Sequence, residues 1–255
     1  MYNRYLRPMY PPIQKSPPSG LLAGRSLFLD FDGTLVDIAP APDLIAPDRD
    51  LTLLLQQLSG MLKGRLAIVS GRSVVDISAW LPGYGGAIAG SHGAEFRWPD
   101  GRLEGPERPQ ALDAALAAAR DFADLLDGVS IEDKSLGIGL HFRSFPHHAQ
   151  AVEDFAAGLA RVYGLALQKG KMVVELRTSG FDKGTAIRLL MDQPPFRDGP
   201  PVFVGDDLTD IPAMQVASEL GGFAIVVGDL DYNAAEYRLA SVAQTLEWLK
   251  QECMP

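Results

Sequence analysis

Residues 27–37 read L-F-L-D-F-D-G-T-L-V-D, an apolar run that leads directly into two closely spaced aspartates. A short, continuously apolar run of this kind is typical of a strand buried on both faces of a parallel sheet. Such a strand delivers its carboxyl end to the crevice where open α/β sheets bind ligands. Asp30 and Asp32 would stand at that end, and Gly33 lets the backbone turn sharply after them. A cation or a proton must then compensate the two carboxylates. The alternative is that Asp30 and Asp32 only end a strand and begin a turn, since Asp-Gly is a common turn dipeptide.

Strand-like and helix-like segments alternate on both sides of a central insert. This alternation predicts an α/β fold with a parallel sheet and helical crossovers. The Pro-rich residues 39–47 are predicted to form a loop. The other predicted strands of this part are residues 65–69, 87–89, 94–96, 201–204 and 223–227, and its predicted helices are residues 48–58, 74–80, 182–191, 211–219 and 239–250.

The residue pattern of the insert is different. Residues 111–126 and 148–163 are predicted helices, while residues 130–143 and 165–177 alternate as half-exposed strands do, the second as a hairpin turning at Lys169-Gly170. Two helices with antiparallel strands make a small α+β unit. We therefore predict a flexible Pro-rich arm at 1–24, an α/β core at 25–103 and 179–255, and an inserted α+β cap domain at 104–178.

Composition limits the classes of partner. The formal net charge is -9 and no Lys/Arg-rich run occurs, which argues against nucleic acid or an anionic membrane surface. No apolar run approaches the roughly 20 residues of a membrane span. Cys253 is the single cysteine and residues 1–20 lack the apolar core of a signal peptide, so we expect a cytoplasmic protein without disulfides. Without an exposed apolar stripe, a monomer is expected.

Polar, reactive residues follow three predicted strands and open one predicted helix. In a doubly wound sheet these positions converge on one edge. Four carboxylates with one hydroxyl and one ammonium carry too much negative charge to share a cleft without a metal. Ligation by oxygen atoms alone indicates Mg²⁺. The residues concerned are Asp30, Asp32, Ser70, Lys183, Asp206 and Asp207.

This set of groups suits phosphoryl transfer. One of the two aspartates, Asp30 or Asp32, could attack phosphorus and form an aspartyl-phosphate, while the other serves as general acid and then general base. The cation, Lys183 and hydroxyl or N–H donors would neutralise the charge of the transferring group. Taken alone, Ser70-Gly71-Arg72 is a turn and Lys183 is a solvated helix start. Only their combination, in this order, indicates the chemistry.

The combined motifs resemble those of the haloacid dehalogenase-like phosphatases. They are D-F-D-G-T-L at 30–35, S-G-R at 70–72, Lys183, and G-D-D-L-T-D at 205–210, and the resemblance covers roughly residues 25–250. It implies a Rossmann-like parallel-sheet core of the haloacid dehalogenase type with an inserted α+β cap domain.

The same resemblance implies a role for each residue. Asp30 would be the nucleophile and Asp32 the general acid/base, as in the phosphatase and phosphomutase branches. Ser70 and Lys183 would hold the phosphoryl group. The implied Mg²⁺ ligands are Asp30, the Asp32 carbonyl and Asp206, with Asp207 in support.

The insert is similar to the cap of the trehalose-6-phosphate phosphatases. The matching segments are S-H-G-A-E at 91–95, E-D-K at 132–134, L-H-F-R at 140–143 and G-K-M-V-V-E-L-R at 170–177. The resemblance implies that Glu132, Lys134 and Glu175 bind hydroxyls of the sugar ring distal to the phosphate, although a salt-bridged sheet surface would also explain them. His92 could equally be a structural loop histidine. The further predicted substrate contacts are Thr34, Gly71, Arg72, His92 and Arg143.

Three functions are compatible with these residues. The first is Mg²⁺-dependent hydrolysis of trehalose 6-phosphate, and the second applies the same chemistry to a sucrose phosphate or a mannosyl phosphate. The third, a non-catalytic sugar-phosphate sensor, is disfavoured because a sensor needs no acid/base such as Asp32. Two departures from the family pattern, Thr178 where proline is frequent and Ile211 where glutamate is usual, remove no catalytic group.

Overall fold

The structure is a computed structural model that describes residues 15–38, 49–170 and 172–254. Residues 1–14 of the predicted arm and the predicted loop at 39–47 lie outside the described residues. The chain divides into two compact units. One unit contains the chain up to Leu103 and from Asp182 onward, and the other, which we call the cap unit, is Glu104–Phe181.

The described residues form seven α-helices and twelve strands. No helix among them has both the length and the apolar character needed to cross a bilayer. The helices are α1 (Arg49–Met61), α2 (Val74–Trp80), α3 (Gln110–Ala123), α4 (Ala149–Tyr163), α5 (Lys183–Met191), α6 (Ile211–Glu219) and α7 (Val242–Glu252). The strands are β1 (Ser26–Leu29), β2 (Leu66–Val69), β3 (Ala87–Gly90), β4 (Glu95–Arg97), β5 (Leu103–Glu104), β6 (Ser130–Lys134), β7 (Gly137–His141), β8 (Ala166–Gly170), β9 (Val173–Arg177), β10 (Pro201–Gly205), β11 (Phe223–Val227) and β12 (Tyr237–Leu239).

An eight-stranded sheet in the order β12-β11-β10-β1-β2-β3-β4-β5 organises the core. Strands β12 to β3 of this order run parallel, and β4 is antiparallel to β3. Every residue of β1, β2, β10 and β11 is buried, and their sequences are almost continuously apolar. Parallel strands covered on both faces require such sequences. The predicted α/β class with a parallel-sheet core is confirmed.

Strand β1 lies near the middle of this sheet. Leu29 at its end pairs with Val204 of β10 on one side and Ile68 of β2 on the other. Leu27 and Leu29 belong to the apolar cluster on one face of the sheet, and Phe28 belongs to the cluster on the other face. The residues that follow β1, β2 and β10 therefore emerge side by side at one edge.

The cap unit is built on an antiparallel sheet in the order β6-β7-β9-β8. Ile138, Leu140, Val174 and Leu176 on one face are fully buried in an apolar cluster to which α3 and α4 contribute. Because successive side chains of a strand alternate between faces, their neighbours in sequence occupy the opposite face. That second face carries the predicted sugar-binding residues.

Two short strands were not predicted. Strand β12 pairs in parallel with β11, where the sequence prediction has β11 as the last strand and begins a helix at residue 239. Strand β5 lies at the predicted boundary between the core and the cap domain. Strands of two or three residues are too short to show a hydrophobic period, and only their pairing defines them.

Residues 15–24 pack on the core, so the predicted flexible arm is wrong for this segment. The backbone N–H groups of Leu21 and Leu22 donate to the buried carboxylate of Glu252 at 3.2 and 2.9 Å. Trp248 Nε1 donates to the Pro18 carbonyl at 3.4 Å, and Leu22 is fully buried. Contacts of Pro18, Leu21 and Leu22 with α7 therefore hold this segment on the core.

Candidate active site

Asp30 and Asp32 lie in the tight turn that follows β1. The Asp30 N–H donates to the Val204 carbonyl at 2.9 Å, and the Asp30 side chain is buried. Gly33 has a φ of +78°, and a Cβ atom at this position would lie 2.1 Å from Asp206 Oδ2. Glycine is therefore required at residue 33 both by the left-handed backbone and by the close approach of Asp206.

Lys183 is buried between two carboxylates. It is the first residue of α5, whose N-cap Asp182 forms a capping box with Thr185. Its Nζ donates to Asp30 Oδ1 and to Asp210 Oδ1, each at 2.6 Å. Burial alone would lower the pKa of Lys183, but the charges of Asp210 and Asp30 outweigh burial and raise this pKa above its ordinary value. Lys183 is therefore a cation in the folded protein.

Asp210 is a site residue that the sequence prediction did not include. It is fully buried, and its Oδ2 accepts from the backbone N–H groups of Asp206 and Asp207 at 2.9 and 3.0 Å. Asp210 directly precedes α6, where an aspartate often caps the helix, but its side chain makes no capping hydrogen bond to α6. Asp210 instead ties the Asp206 loop to Lys183. The signal was its spacing of four residues from Asp206 in G-D-D-L-T-D.

The carboxylates of Asp30, Asp206 and Asp210 crowd together, with one oxygen of each within 4.8 Å of the others. Burial and the charge of Asp210 raise the pKa of Asp30 well above its ordinary value. The same two causes raise the pKa of Asp206 to about 7. Three ionised carboxylates against one ammonium leave two negative charges, which a divalent cation would compensate.

The donor set fits such a cation. Asp206 Oδ1 is buried and accepts no hydrogen bond from the described residues, whereas both oxygens of Asp210 are engaged. Asp30 and Asp206 would therefore hold the cation directly, with Asp210 in support. Carboxylate oxygens suit a hard divalent ion. The cluster and the fold together indicate a divalent metal site.

Asp207 and Thr34 are two further predicted site residues of the loops that follow β10 and β1. Asp207 is exposed, and its carboxylate accepts from the Leu208 N–H at 2.5 Å. Its supporting role at the metal stays a prediction. Thr34 is fully buried, and its hydroxyl has no hydrogen-bond partner among the described residues. Its contact with substrate also stays a prediction.

Asp32 is held by Arg72, which was predicted to bind substrate. Arg72 Nε donates to Asp32 Oδ2 at 2.8 Å and Arg72 Nη2 donates to Asp32 Oδ1 at 3.0 Å. The guanidinium also lies over the Trp80 ring, 5.3 Å from its centroid, and Trp80 stacks on Phe31. Such a two-point contact fixes both groups. The sequence located both residues but did not predict that they pair.

The loop that follows β2, with Ser70 and Gly71, contacts the loop that follows β3, with His92. Ser70 follows β2, is fully buried, and its Oγ accepts from the Arg72 N–H at 3.1 Å. The His92 N–H donates to the Ser70 carbonyl at 2.9 Å, and His92 adopts a left-handed φ of 57°. A Cβ atom at residue 71 would lie 2.7 Å from the His92 ring. Glycine at 71 therefore lets the imidazole pack against this loop.

The predicted residues of the cap unit meet on one face of its sheet. Lys134 Nζ lies 3.3 Å from Glu175 Oε1 and 3.8 Å from Glu132 Oε2. His141 Nε2, which was not predicted as a site residue, lies 2.8 Å from the same Glu132 oxygen. Arg143 follows β7 in an exposed turn instead. This cluster is compatible both with a sugar-binding surface and with a salt-bridged one.

A family model of the trehalose-phosphatases matches residues 28–243, which include all the core motifs. This chain belongs to the trehalose-phosphatase family. The family predicted from the motifs is thereby confirmed, and the chain is a phosphoric monoester hydrolase of the haloacid dehalogenase-like class acting on a sugar phosphate.

Individual relatives agree with this placement. The chain is 36% identical over 250 residues to the trehalose-6-phosphate phosphatase of Escherichia coli (strain K12), covering 95% of this chain and 91% of that protein. A solved structure of a trehalose-6-phosphate phosphatase related protein has a TM-score of 0.73 and 28% identity, covering 88% of this chain and 95% of its own. A haloacid dehalogenase-like hydrolase from Bacteroides thetaiotaomicron shares the fold, with a TM-score of 0.64, 15% identity, and coverage of 89% and 98%.

Proposed function

We propose that this chain hydrolyses trehalose 6-phosphate to trehalose and inorganic phosphate, with Mg²⁺ as cofactor and an aspartyl-phosphate on Asp30 as intermediate. The observation that carries the proposal is the buried contact of Asp30 with Lys183 beside Asp206, in a member of the trehalose-phosphatase family. A carboxylate fixed next to cationic groups can approach the anionic phosphoryl group of a substrate.

In the first step an oxygen of Asp30 attacks phosphorus, and the bond from phosphorus to the sugar oxygen breaks. Asp32 supplies the proton that the leaving oxygen requires. Lys183 and the Ser70 hydroxyl donate hydrogen bonds to the phosphoryl oxygens. Because Arg72 engages both oxygens of Asp32, proton donation requires that at least one of these hydrogen bonds be released.

In the second step a water molecule attacks the same phosphorus. Asp32 takes the proton of that water, and the bond between phosphorus and Asp30 breaks. Inorganic phosphate leaves and Asp30 returns as a carboxylate. Bound Mg²⁺, held by Asp30 and Asp206, would neutralise charge on the transferring phosphoryl group.

Phosphate release should depend on Mg²⁺ and be fastest with trehalose 6-phosphate. We expect kcat/KM for this substrate to exceed that for sucrose phosphate, a mannosyl phosphate and glucose 6-phosphate by about 100-fold, because a second sugar ring adds hydrogen bonds that each competitor lacks or misplaces. EDTA should abolish the reaction and excess Mg²⁺ should restore it, which excludes denaturation by the chelator. Similar rates on all substrates would favour another sugar phosphate, and binding without release would favour the sensor.

The polar face of the cap unit supplies the sugar-recognition residues of this proposal. Glu132, Lys134 and Glu175 are largely buried, with side chains 24%, 17% and 14% exposed, although they are charged. Carboxylates accept hydrogen bonds from hydroxyls and an ammonium donates to them, so the three together match a polyol. Partial burial strengthens each of these hydrogen bonds relative to water.

Replacing Glu132 or Glu175 by glutamine should raise KM for trehalose 6-phosphate roughly 10- to 100-fold while kcat changes much less, because a hydrogen bond to a charged group is lost or weakened. The matched control is Glu153→Gln, which removes a cap carboxylate that pairs with Lys169 away from this cluster. Steady-state kinetics on the three variants provide the measurement. If KM stays at the wild-type value in both trial variants, the cluster is only a salt-bridged surface.

A further inference from the structure

Strand β7, one of the two inner strands of the cap sheet, carries two glycines on the polar face of the sheet. In the strand register, Gly139 pairs with Glu132 of β6 and with Glu175 of β9, and Gly137 pairs with Lys134 of β6. Neighbouring strands lie about 4.8 Å apart, so the two glutamate positions stand about 10 Å apart across a strip without side chains. We call this strip, floored by Gly137 and Gly139 and walled by the charged residues, the cap trough.

His141 stands at one end of the cap trough, as the next residue of β7 on the same face. Its Nε2 lies 2.8 Å from Glu132 Oε2, the shortest contact in a row that continues through Lys134 to Glu175. An ionised carboxylate can only accept, so the imidazole N–H is the donor. The backbone of His141 is itself fixed by pairing with neighbouring strands on both sides.

Gly139 provides the space for this contact. A Cβ atom at residue 139 would lie 3.0 Å from His141 Nε2 and 3.2 Å from Glu132 Oε2, closer than nearly all ordinary contacts. A side chain at this position would therefore push the imidazole or the carboxylate away. The contact between His141 and Glu132 therefore depends on the absence of a side chain at residue 139.

We propose that His141 is a positioning residue that holds the Glu132 carboxylate in the orientation that accepts a sugar hydroxyl, as part of the proposed function on which this inference rests. An unheld glutamate side chain samples several rotamers, and ordering them on binding weakens affinity. An imidazole on a paired strand has fewer torsions to lose. The carboxylate is then fixed before the sugar arrives.

The test compares His141→Leu with His141→Gln, which keeps an N–H donor. His141→Leu should raise KM for trehalose 6-phosphate about 5- to 30-fold with kcat within about 3-fold of wild type, because a hydrogen bond to a charged group is lost. His141→Gln should restore KM to within about 3-fold. His147→Leu serves as the control, since His147 lies on the cap unit in an exposed turn and contacts Phe145 and His148 instead. Thermal melting of each variant checks that the cap unit is folded.

A double-mutant cycle separates positioning from direct contact. In a Glu132→Ala background, adding His141→Leu should raise KM by less than about 2-fold more, because the group that His141 holds is already gone. A full multiplication of the two effects, or an unchanged KM in His141→Leu, overturns the positioning role. Absence of trehalose 6-phosphate turnover in the wild-type protein would instead remove the proposed function, so the two failures are distinguishable.

Discussion

Replacing Asp30 by asparagine should lower the rate of phosphate release by at least about 10⁴-fold. Asparagine has the same shape, but its amide does not attack phosphorus, so no covalent intermediate can form. On the proposed mechanism the loss should appear in kcat, because other proposed substrate contacts such as Lys183 and Ser70 are unchanged. The variant should therefore retain affinity for trehalose 6-phosphate while it fails to turn it over.

Acid quenching with phosphoryl-labelled substrate tests this expectation directly. Wild-type protein should retain label and Asp30→Asn should not. Asp37→Asn is the matched control, since it changes an exposed carboxylate of the same sequence stretch. Residual turnover above about one per cent, in protein shown by mass spectrometry to have undergone no deamidation back to aspartate, would exclude Asp30 as the nucleophile.

The central strands could be predicted from sequence because burial on both faces forces a continuous apolar run. Strands β1 and β11 each read this way. Strand β12, with the sequence Tyr-Arg-Leu at one edge of the sheet, carries neither a run nor a period, and pairing with β11 alone makes it a strand. Residues 15–24 were predicted wrongly for a related reason: the carboxylate that fixes Leu21 and Leu22 belongs to Glu252, 231 and 230 residues away.

The site residues found from sequence are those that a strand end or a helix start positions. Asp30 and Asp206 follow neighbouring parallel strands, and that topology alone brings them together. Asp210 and His141 were not predicted because their roles depend on which groups their side chains contact in the folded protein. Asp210 reaches Lys183 across a short turn that resembles a helix cap in sequence. His141 meets Glu132 only in one strand register, which alternation by itself does not specify.

Replacing Lys183 by methionine should reduce the free energy of unfolding by about 3–5 kcal/mol. In the wild-type protein this one cation compensates two buried carboxylates, and the variant leaves both without it. The side chains of Lys183, Asp30 and Asp210 are 3%, 6% and 0% exposed, so solvent cannot take over this role. Activity should fall by at least about 10²- to 10³-fold as a donor to the phosphoryl group disappears. Denaturant unfolding in EDTA and steady-state kinetics measure the two losses.

The loss of unfolding free energy in Lys183→Met should depend on pH with a definite sign. Burial and the charge of Asp210 already raise the pKa of Asp30, and the variant lacks the Lys183 ammonium that lowers it. The folded variant therefore binds a proton that the unfolded chain has released. Its unfolding free energy should then fall as pH rises from about 4, the ordinary carboxyl value, and the deficit against wild type should be larger at about pH 8 than at about pH 5. An equal deficit at both values would mean that uncompensated charge is not its cause.

Arg188→Met is the matched control on the same helix. Arg188 also forms an ion pair, with Glu219, but the two side chains are 50% and 58% exposed, so its loss should change stability by less than about 1 kcal/mol. If Lys183→Met is no more destabilising than Arg188→Met, the buried contacts of Lys183 do not stabilise the fold.

A double variant, Lys183→Met with Asp210→Asn, separates the structural role of Lys183 from its chemical one. Asp210→Asn removes one of the two charges that Lys183 compensates, so the double variant should be more stable than the sum of the single changes predicts. Its activity should stay low, because Asp30 and the phosphoryl group still lack their ammonium partner. Additive losses of stability would mean that Asp210 is stabilised by its backbone N–H donors rather than by Lys183. Stability regained without activity would assign Lys183 both roles, one toward Asp210 and one toward the reacting carboxylate of Asp30.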